Sequence, residues 1–268
     1  MAARANNLNG RDWLLNSFSV WRDLPRDGER KSHPAAFPVA LAGKILDCYA
    51  QGPDDVVLDP FAGSGSTLLA AARAGMRSLG LDINEQYREF FLDRVDLVDL
   101  AHCGGADMWR YEVCDSRDRR AFLKAVAEQS VGICITSPPY WDILRRRRSS
   151  DGKKAIAYSD SVTDIGNIAD YGEFLQALGD VAENIGIALK DRGYLILNVM
   201  DLRKGGRFYP LHQDAAEVVT QRGGLHLEDI IIWDRQKDYN QMRPLGYPHK
   251  FIINKVHEYL LVFRKTGE

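Results

Sequence analysis

Asp59, Asp82 and Asp115 each close a short apolar run, in "DVVLDPF" (Asp55–Phe61), "RSLGLDI" (Arg77–Ile83) and "RYEVCD" (Arg110–Asp115). Carboxylates at strand ends can accept hydrogen bonds from hydroxyls, amines or an ammonium group. Behind the first lies "DPFAGSGST", where Gly63 and Gly65, lacking Cβ, permit a sharp turn and close approach to a ligand. The stretch leads into an alanine-rich helical pattern, and a glycine turn before a helix N-terminus is where doubly wound sheets hold ligands. Two familiar ligands fit badly. A phosphate-binding loop needs GxxxxGK[ST], and no lysine follows these glycines. A dinucleotide fingerprint needs a third glycine where Leu68 stands, and Asp59 would repel a pyrophosphate while suiting an ammonium or a hydroxyl. Asp82 is placed to take both ribose hydroxyls, at about 1.5–3 kcal/mol per hydrogen bond to a charged acceptor. Asp115 could meet an adenine amino group. A helix cap or loop solvation would account for any one of these aspartates. Three together point to a nucleoside with a cationic centre, such as S-adenosylmethionine.

The elements that would position these residues follow from hydrophobic patterning. The three runs above, with "GICITS" (Gly132–Ser137) and "GYLILNVM" (Gly193–Met200), have the apolar, β-branched character of buried strands. Helical patterns separate them at Ala35–Cys48, Thr67–Ala74, Glu85–Leu100, Arg119–Glu128, Tyr171–Lys190 and Leu211–Arg222. This alternation predicts a mostly parallel sheet with helices on both faces. "LEDIIIWDR" (Leu227–Arg235) and "VHEYLLVFRK" (Val256–Lys265) have no helical pattern between them and should pair antiparallel at one edge. The expectation is α/β, seven strands, and one domain over residues 33–268. Residues 1–32 would form an N-terminal arm, and about 142–170 a basic insertion.

Composition limits the partners. Formal net charge is -2, with 35 basic and 37 acidic residues, so nucleic-acid contact must come from local clusters. Cys48, Cys103, Cys114 and Cys134 show no CxxC pair and no histidine at ligand spacing, which predicts reduced thiols and no metal. No stretch approaches the ~20 apolar residues of a membrane span, and the N-terminus lacks a signal-peptide pattern. A cytoplasmic, nucleoid-associated protein of a prokaryote or phage is expected. One segment combines rigidity, aromaticity and charge: "ITSPPYWDILRRRR", Ile135–Arg148.

"DPFAGSGST" together with "TSPPYW" resembles the amino-methylating DNA methyltransferases, which act on cytosine N4 or adenine N6. The upstream "SVWRDLPRDGERKSHPAAFPVALAGKIL" (Ser19–Leu46) is similar to their flank of the cofactor pocket, and "IIIWDR" and "HEYLLVFRK" to their last two strands. The resemblance covers nearly the whole chain from about Ser17. It implies a Rossmann-like S-adenosylmethionine-dependent methyltransferase fold. The cofactor set it implies is His33, Pro34, Phe37, Pro38, Asp59, Pro60, Phe61, Gly63, Gly65, Thr67, Asp82 and Asp115. Many relatives with this style of motif carry the catalytic block first. Here the cofactor block precedes it, a circular permutation whose cut falls where those relatives usually place target recognition.

For such an enzyme the catalytic residues are Ser137, Pro138, Pro139 and Tyr140. An exocyclic amine is a poor nucleophile because its lone pair is delocalised into the ring. The Ser137 hydroxyl and Pro138 carbonyl could hold the amino hydrogens so that the lone pair faces the methyl carbon. The prolines fix φ near -65° and stiffen the turn. Tyr140 could stack on an extruded base, returning ~1–3 kcal/mol against an extrusion cost of a few kcal/mol, so phosphate contacts must help. Trp141, Arg145, Arg146, Arg147, Arg148, Arg243 and Lys250 are the nucleic-acid-binding candidates. The arginine run opens a polar segment that also holds Lys153 and Lys154, and Arg243 and Lys250 lie in "DRQKDYNQMRPLGYPHKF" (Asp234–Phe251) beside Asn240 and Gln241. A solvated basic loop and an ordinary hairpin loop are the plain alternatives. No proline precedes a cysteine, so cytosine C5 chemistry is not expected. Ser137 favours cytosine N4 by resemblance; adenine N6, guanine N2 of tRNA or rRNA, and a non-catalytic partner subunit are the rivals. DNA, duplex or single-stranded, is the expected partner, with a cognate restriction endonuclease compatible and the monomer or homodimer left open.

Overall fold

The computed structural model describes residues 5–25, 37–52, 54–96, 108–142, 163–238 and 244–267. The elements run α1 (Gly10–Asn16), β1 (Val20–Trp21), α2 (Val39–Tyr49), β2 (Val56–Asp59), α3 (Ser66–Arg73), β3 (Ser78–Asp82), α4 (Glu85–Asp96), β4 (Trp109–Val113), α5 (Arg119–Ala125) and β5 (Val131–Thr136). They continue with α6 (Tyr171–Ala188), β6 (Leu189–Val199), β7 (Leu202–Lys204), β8 (Arg207–Tyr209), α7 (Leu211–Gly223), β9 (Leu225–Asp234) and β10 (His257–Lys265).

The main sheet has the order β1-β9-β10-β6-β5-β2-β3-β4. Strands β2 to β6 pair in parallel, and β10 runs antiparallel between β6 and β9. The chain therefore builds outward from β2 through β3 to β4, then returns to the other side of β2 with β5. That reversal opens a crevice at the carboxyl ends of β2 and β5, where ligands of open α/β sheets bind.

Side chains alternate between two cores, as a sheet covered on both faces requires. Cys134, Leu195 and Leu197 pack with Phe122, Phe174 and Leu178 under α5, α6 and α7. Ile133, Ile135 and Ile196 pack with Ile45 and Leu68 under α2 and α3. The expected alternation and the C-terminal antiparallel pair are both present. Helix α2 starts at Val39, with Pro38 extended at its N-cap (φ -64°, ψ 144°); Ala35, where the helical pattern begins, lies outside the described residues.

Two features correct the expected plan. Among the described residues the sheet has eight strands, not seven, because Val20–Trp21 of the presumed arm add a parallel edge strand to β9 (Val20↔Ile232, Trp21↔Trp233). Two residues are too few to show a period; what seats them is Trp21, 2% exposed in the α2–α3 core. A second hairpin, β7–β8, turns through Gly205 and Gly206 at φ 58° and 81°. Paired positive φ at a two-residue turn is the geometry that glycine pairs favour, and that signal stood in the sequence.

Candidate active site

The glycine turn is held from several directions. Gly65 has φ 77°, and a Cβ there would lie 2.1 Å from Cδ2 of Phe91, so no other residue fits without displacing a packed ring. Phe91 is itself fixed between Tyr111 and Trp109. The Tyr111 hydroxyl donates to the Gly63 carbonyl at 2.7 Å, and Ser116 Oγ to the Pro60 carbonyl at 2.7 Å. Arg94 of α4 reaches across with Nη1 2.7 Å from the Ser64 carbonyl. Neither Arg94 nor Tyr111 was marked by the sequence, since each acts through distant backbone.

Asp82 ends β3 with both oxygens anchored on the backbone: Oδ2 accepts from Gly63 N–H and Oδ1 from Asn84 N–H, each at 2.9 Å. Burial pushes its pKa up to about 6 against those two hydrogen bonds, which lower it. Asp115 forms a fork with Arg117, whose Nη2 is 2.8 Å from Oδ2 and whose Nε is 3.1 Å from Oδ1. Arg117 also donates to the Thr163 carbonyl. Asp82, Asp115, Pro60, Phe61, Ser137 and Pro139 all line one cleft that is open to solvent.

Asp59 corrects an expectation. It is 1% exposed, with Oδ2 accepting from Thr67 Oγ1 at 2.6 Å and Oδ1 from Thr136 Oγ1 at 2.7 Å and Phe61 N–H at 3.1 Å. Burial raises its pKa to about 6, partly offset by those donors. The carboxylate ties β2, α3 and β5 together, with Thr67 and Thr136 as its side-chain partners. Phe37 packs in the α2–α3 core beside Ala62, and Pro38 lines a second cleft with Leu24, Trp233 and Arg235. His33 and Pro34 lie outside the described residues.

The Ser-Pro-Pro-Tyr turn follows β5 directly, at the crevice. Ser137 Oγ is 3.0 Å from the Tyr140 hydroxyl, which donates to Glu258 Oε2 at 2.7 Å. Asn198 Nδ2 lies 2.7 Å from the same Glu258 oxygen and 3.0 Å from the Tyr140 hydroxyl. Arg235 donates to the other oxygen of Glu258. Asn198 and Glu258 were missed because each sits inside an apolar strand run with no motif around it. Tyr140 is 9% exposed with its hydroxyl bound, so the expected stacking face is not open in this state. Trp141 is a second correction. It is 3% exposed, packed against Tyr171 and Tyr209 with ring centroids 5.0 Å away, and Lys204 Nζ lies 3.2 Å from its centroid. Its ring is core, not a surface for nucleic acid. Arg145, Arg146, Arg147, Arg148, Lys153, Lys154, Asn240, Gln241 and Arg243 lie outside the described residues; Lys250 is exposed.

A family model described as DNA methylase, covering N6 and N4 amino-methylation, matches residues 4–93 and 131–268. The chain belongs to this N6/N4 DNA methylase family. Among curated relatives, the type II methyltransferase M.ScaI of Streptomyces caespitosus is 40% identical over 25% of this chain and 22% of its own length. The DNA adenine methyltransferase YhdJ of Escherichia coli K12 is 39% identical over 30% of this chain and 28% of its own. The matches thus span roughly a quarter of each of these relatives. Precorrin-6y C5,15-methyltransferase of Geobacter metallireducens shares the fold, with a TM-score of 0.51 and 13% identity over 90% of this chain and 94% of that one. TTHA0409 of Thermus thermophilus, solved with S-adenosyl-L-methionine, is 28% identical over 57% of this chain and 54% of its own, with a TM-score of 0.38.

S-adenosylmethionine is the cofactor of this family. The residues present fit it: a desolvated carboxylate at the end of β3 that lines an open cleft, and beside it a glycine turn too tight for a side chain at Gly65. Among the described residues no group of His, Cys, Asp or Glu is arranged to hold a metal, and no helix is long and apolar enough to cross a membrane.

Proposed function

We propose that the protein methylates the exocyclic amine of a DNA base, cytosine N4 first. The observation that carries this is the sharing of one cleft by the strand-end carboxylates and the Ser-Pro-Pro-Tyr turn: Asp82 and Asp115 line it together with Ser137 and Pro139. Asp82 would hold the ribose hydroxyls, since each of its oxygens keeps a lone pair beyond its backbone bond. Asp115 would meet the adenine amino group, sharing its oxygens with Arg117. When bound, the cofactor supplies a methyl group whose bond to sulfur breaks, with the electron pair going to sulfur, as the amine lone pair bonds to carbon. Ser137 Oγ and the Pro138 carbonyl accept the amino hydrogens and aim that lone pair. The surplus amine proton leaves to water. No covalent bond to the protein is required, so the rate comes from positioning. Tyr140 takes the base on its ring once DNA binding uncovers it, and Arg145–Arg148, Arg243 and Lys250 grip phosphates.

Adenine N6 is the second reading, supported by the relative named a DNA adenine methyltransferase. Ser137 supports cytosine by resemblance to the family's N4 members. Incubating duplex DNA with methyl-labelled cofactor and resolving the nucleosides by mass spectrometry tests both: label on N4-methylcytosine is expected, and label on N6-methyladenine reverses the choice of base.

A further inference from the structure

Glu258 is not among the residues lining the cleft of Asp82 and Ser137, yet it is a charged group buried at 3% exposure beside the Ser-Pro-Pro-Tyr turn. Its partners are Arg235 on one oxygen, and Tyr140 and Asn198 on the other. The hydrogens in this cluster can be assigned by counting donors. A carboxylate only accepts, so Tyr140, 2.7 Å away, gives Glu258 its single hydroxyl hydrogen. The Tyr140 oxygen is then an acceptor, which suits Asn198 Nδ2 at 3.0 Å. Ser137 Oγ, also 3.0 Å from that oxygen, must donate to it or to its second acceptor, the Asn198 carbonyl at 3.3 Å. Either way the Ser137 hydrogen turns into the protein. Asn198 Nδ2 lies 3.5 Å from Ser137 Oγ, but its two hydrogens have nearer acceptors in Glu258 and Tyr140, so the Ser137 lone pairs are left for the cleft.

We propose that Glu258 is a positioning residue that sets the direction of this hydrogen-bond chain, so that Ser137 presents lone pairs and not a hydrogen to the incoming amino group. The inference rests on the reading of Ser137 as an amine acceptor. A serine is ambivalent, able to donate or accept, whereas an amino group offers only hydrogens to be held. A fixed charge two bonds away removes the ambivalence.

Glu258→Gln keeps the shape and reverses the chain. Arg235 only donates, so it takes the single carboxamide oxygen, and the amide NH2 faces Tyr140 and Asn198 where an oxygen stood, with Asn198 turning its unpartnered Oδ1 to accept one of the two hydrogens. Tyr140 must then accept, its hydrogen turns toward Ser137, and one Ser137 lone pair is filled. Tyr140→Phe, by contrast, removes the relay without reversing it, and Ser137 can still donate to the Asn198 carbonyl.

The test is a double-mutant cycle on single-turnover methyl transfer to duplex DNA. Cofactor affinity is measured by calorimetry, and base extrusion by fluorescence of 2-aminopurine in the duplex. Glu258→Gln should lower the transfer rate at least tenfold while affinity and extrusion stay as in the wild type. Tyr140→Phe should lose less. Adding Tyr140→Phe to Glu258→Gln should recover at least threefold over Glu258→Gln alone, because the reversed donor is gone. A Glu258→Gln rate within twofold of wild type, or losses that simply multiply in the double variant, would overturn the proposal. If Glu258→Gln does not fold, the double variant is compared with Tyr140→Phe: rates within threefold support the proposal, and a further tenfold loss overturns it. Failure of the wild-type enzyme to methylate DNA removes the underlying reading; wild-type activity with a wild-type rate in Glu258→Gln removes only the role of Glu258.

Discussion

Asp82→Ala is the perturbation whose size the structure sets most directly. Each carboxylate oxygen already accepts one backbone N–H, from Gly63 and from Asn84, at 2.9 Å. One lone pair per oxygen remains for a ribose diol. Two hydrogen bonds to a charged acceptor at about 1.5–3 kcal/mol each sum to about 3–6 kcal/mol, or roughly a 10²- to 10⁴-fold weaker Kd for the cofactor. The substitution also strips two N–H groups of their acceptor and loosens the glycine turn, which pushes the loss toward the upper end. Titration calorimetry with S-adenosylmethionine measures it, alongside a thermal melt to show that the sheet is intact. Asp82→Asn should fall between, because its amide nitrogen must face one of two N–H donors. A folded Asp82→Ala protein that binds cofactor within threefold of wild type would refute the assignment of the ribose to Asp82.

The pH dependence should run in two directions. Asp82 and Asp59 both have pKa values raised to about 6 by burial, so the folded apo protein holds their protons more tightly than the unfolded chain. Their contribution to stability is then fullest below the ordinary carboxylate range and is lost as pH rises through about 6. Cofactor affinity should move oppositely, falling below about pH 6 as Asp82 is protonated; affinity that rises on acidification would contradict its role. Gly65→Ala places a Cβ at φ 77° and 2.1 Å from a buried ring, costing about 2–5 kcal/mol of stability from left-handed strain plus overpacking. A melt within about 1 °C of wild type, against the several degrees such a loss implies, would show that the turn is looser than described. Replacing Arg145–Arg148 by glutamine should flatten the salt dependence of DNA binding by about 0.9 in log–log slope for each phosphate no longer neutralised, and an unchanged slope would mark the run as solvent-exposed decoration.

The architecture was readable because burial on both faces of a parallel sheet forces continuous apolar runs, and the helices between them carry a clear period. Every strand from Val56–Asp59 onward in the main sheet overlaps an expected run. Val20–Trp21 was not readable, since its placement depends on one tryptophan finding a distant core. At the site, residue type and strand-end position singled out Asp82, Asp115 and Ser137, and all three line one cleft. The same rule failed for Asp59, because a sequence cannot show that two threonines, eight and 77 positions away, will occupy its oxygens. Trp141 could not be placed from the sequence either, because Tyr171, Tyr209 and Lys204, which pack against its ring, lie far along the chain. Glu258 and Asn198 meet Tyr140 across 118 and 58 residues, a juxtaposition that only strand order can create.

The most direct test of the central claim is nucleoside mass spectrometry after incubating DNA and RNA separately with methyl-labelled S-adenosylmethionine. The expected result is label on an exocyclic amine in DNA, as N4-methylcytosine. Label confined to guanine N2 in RNA, or no labelled nucleoside from a folded, cofactor-binding protein, would contradict it.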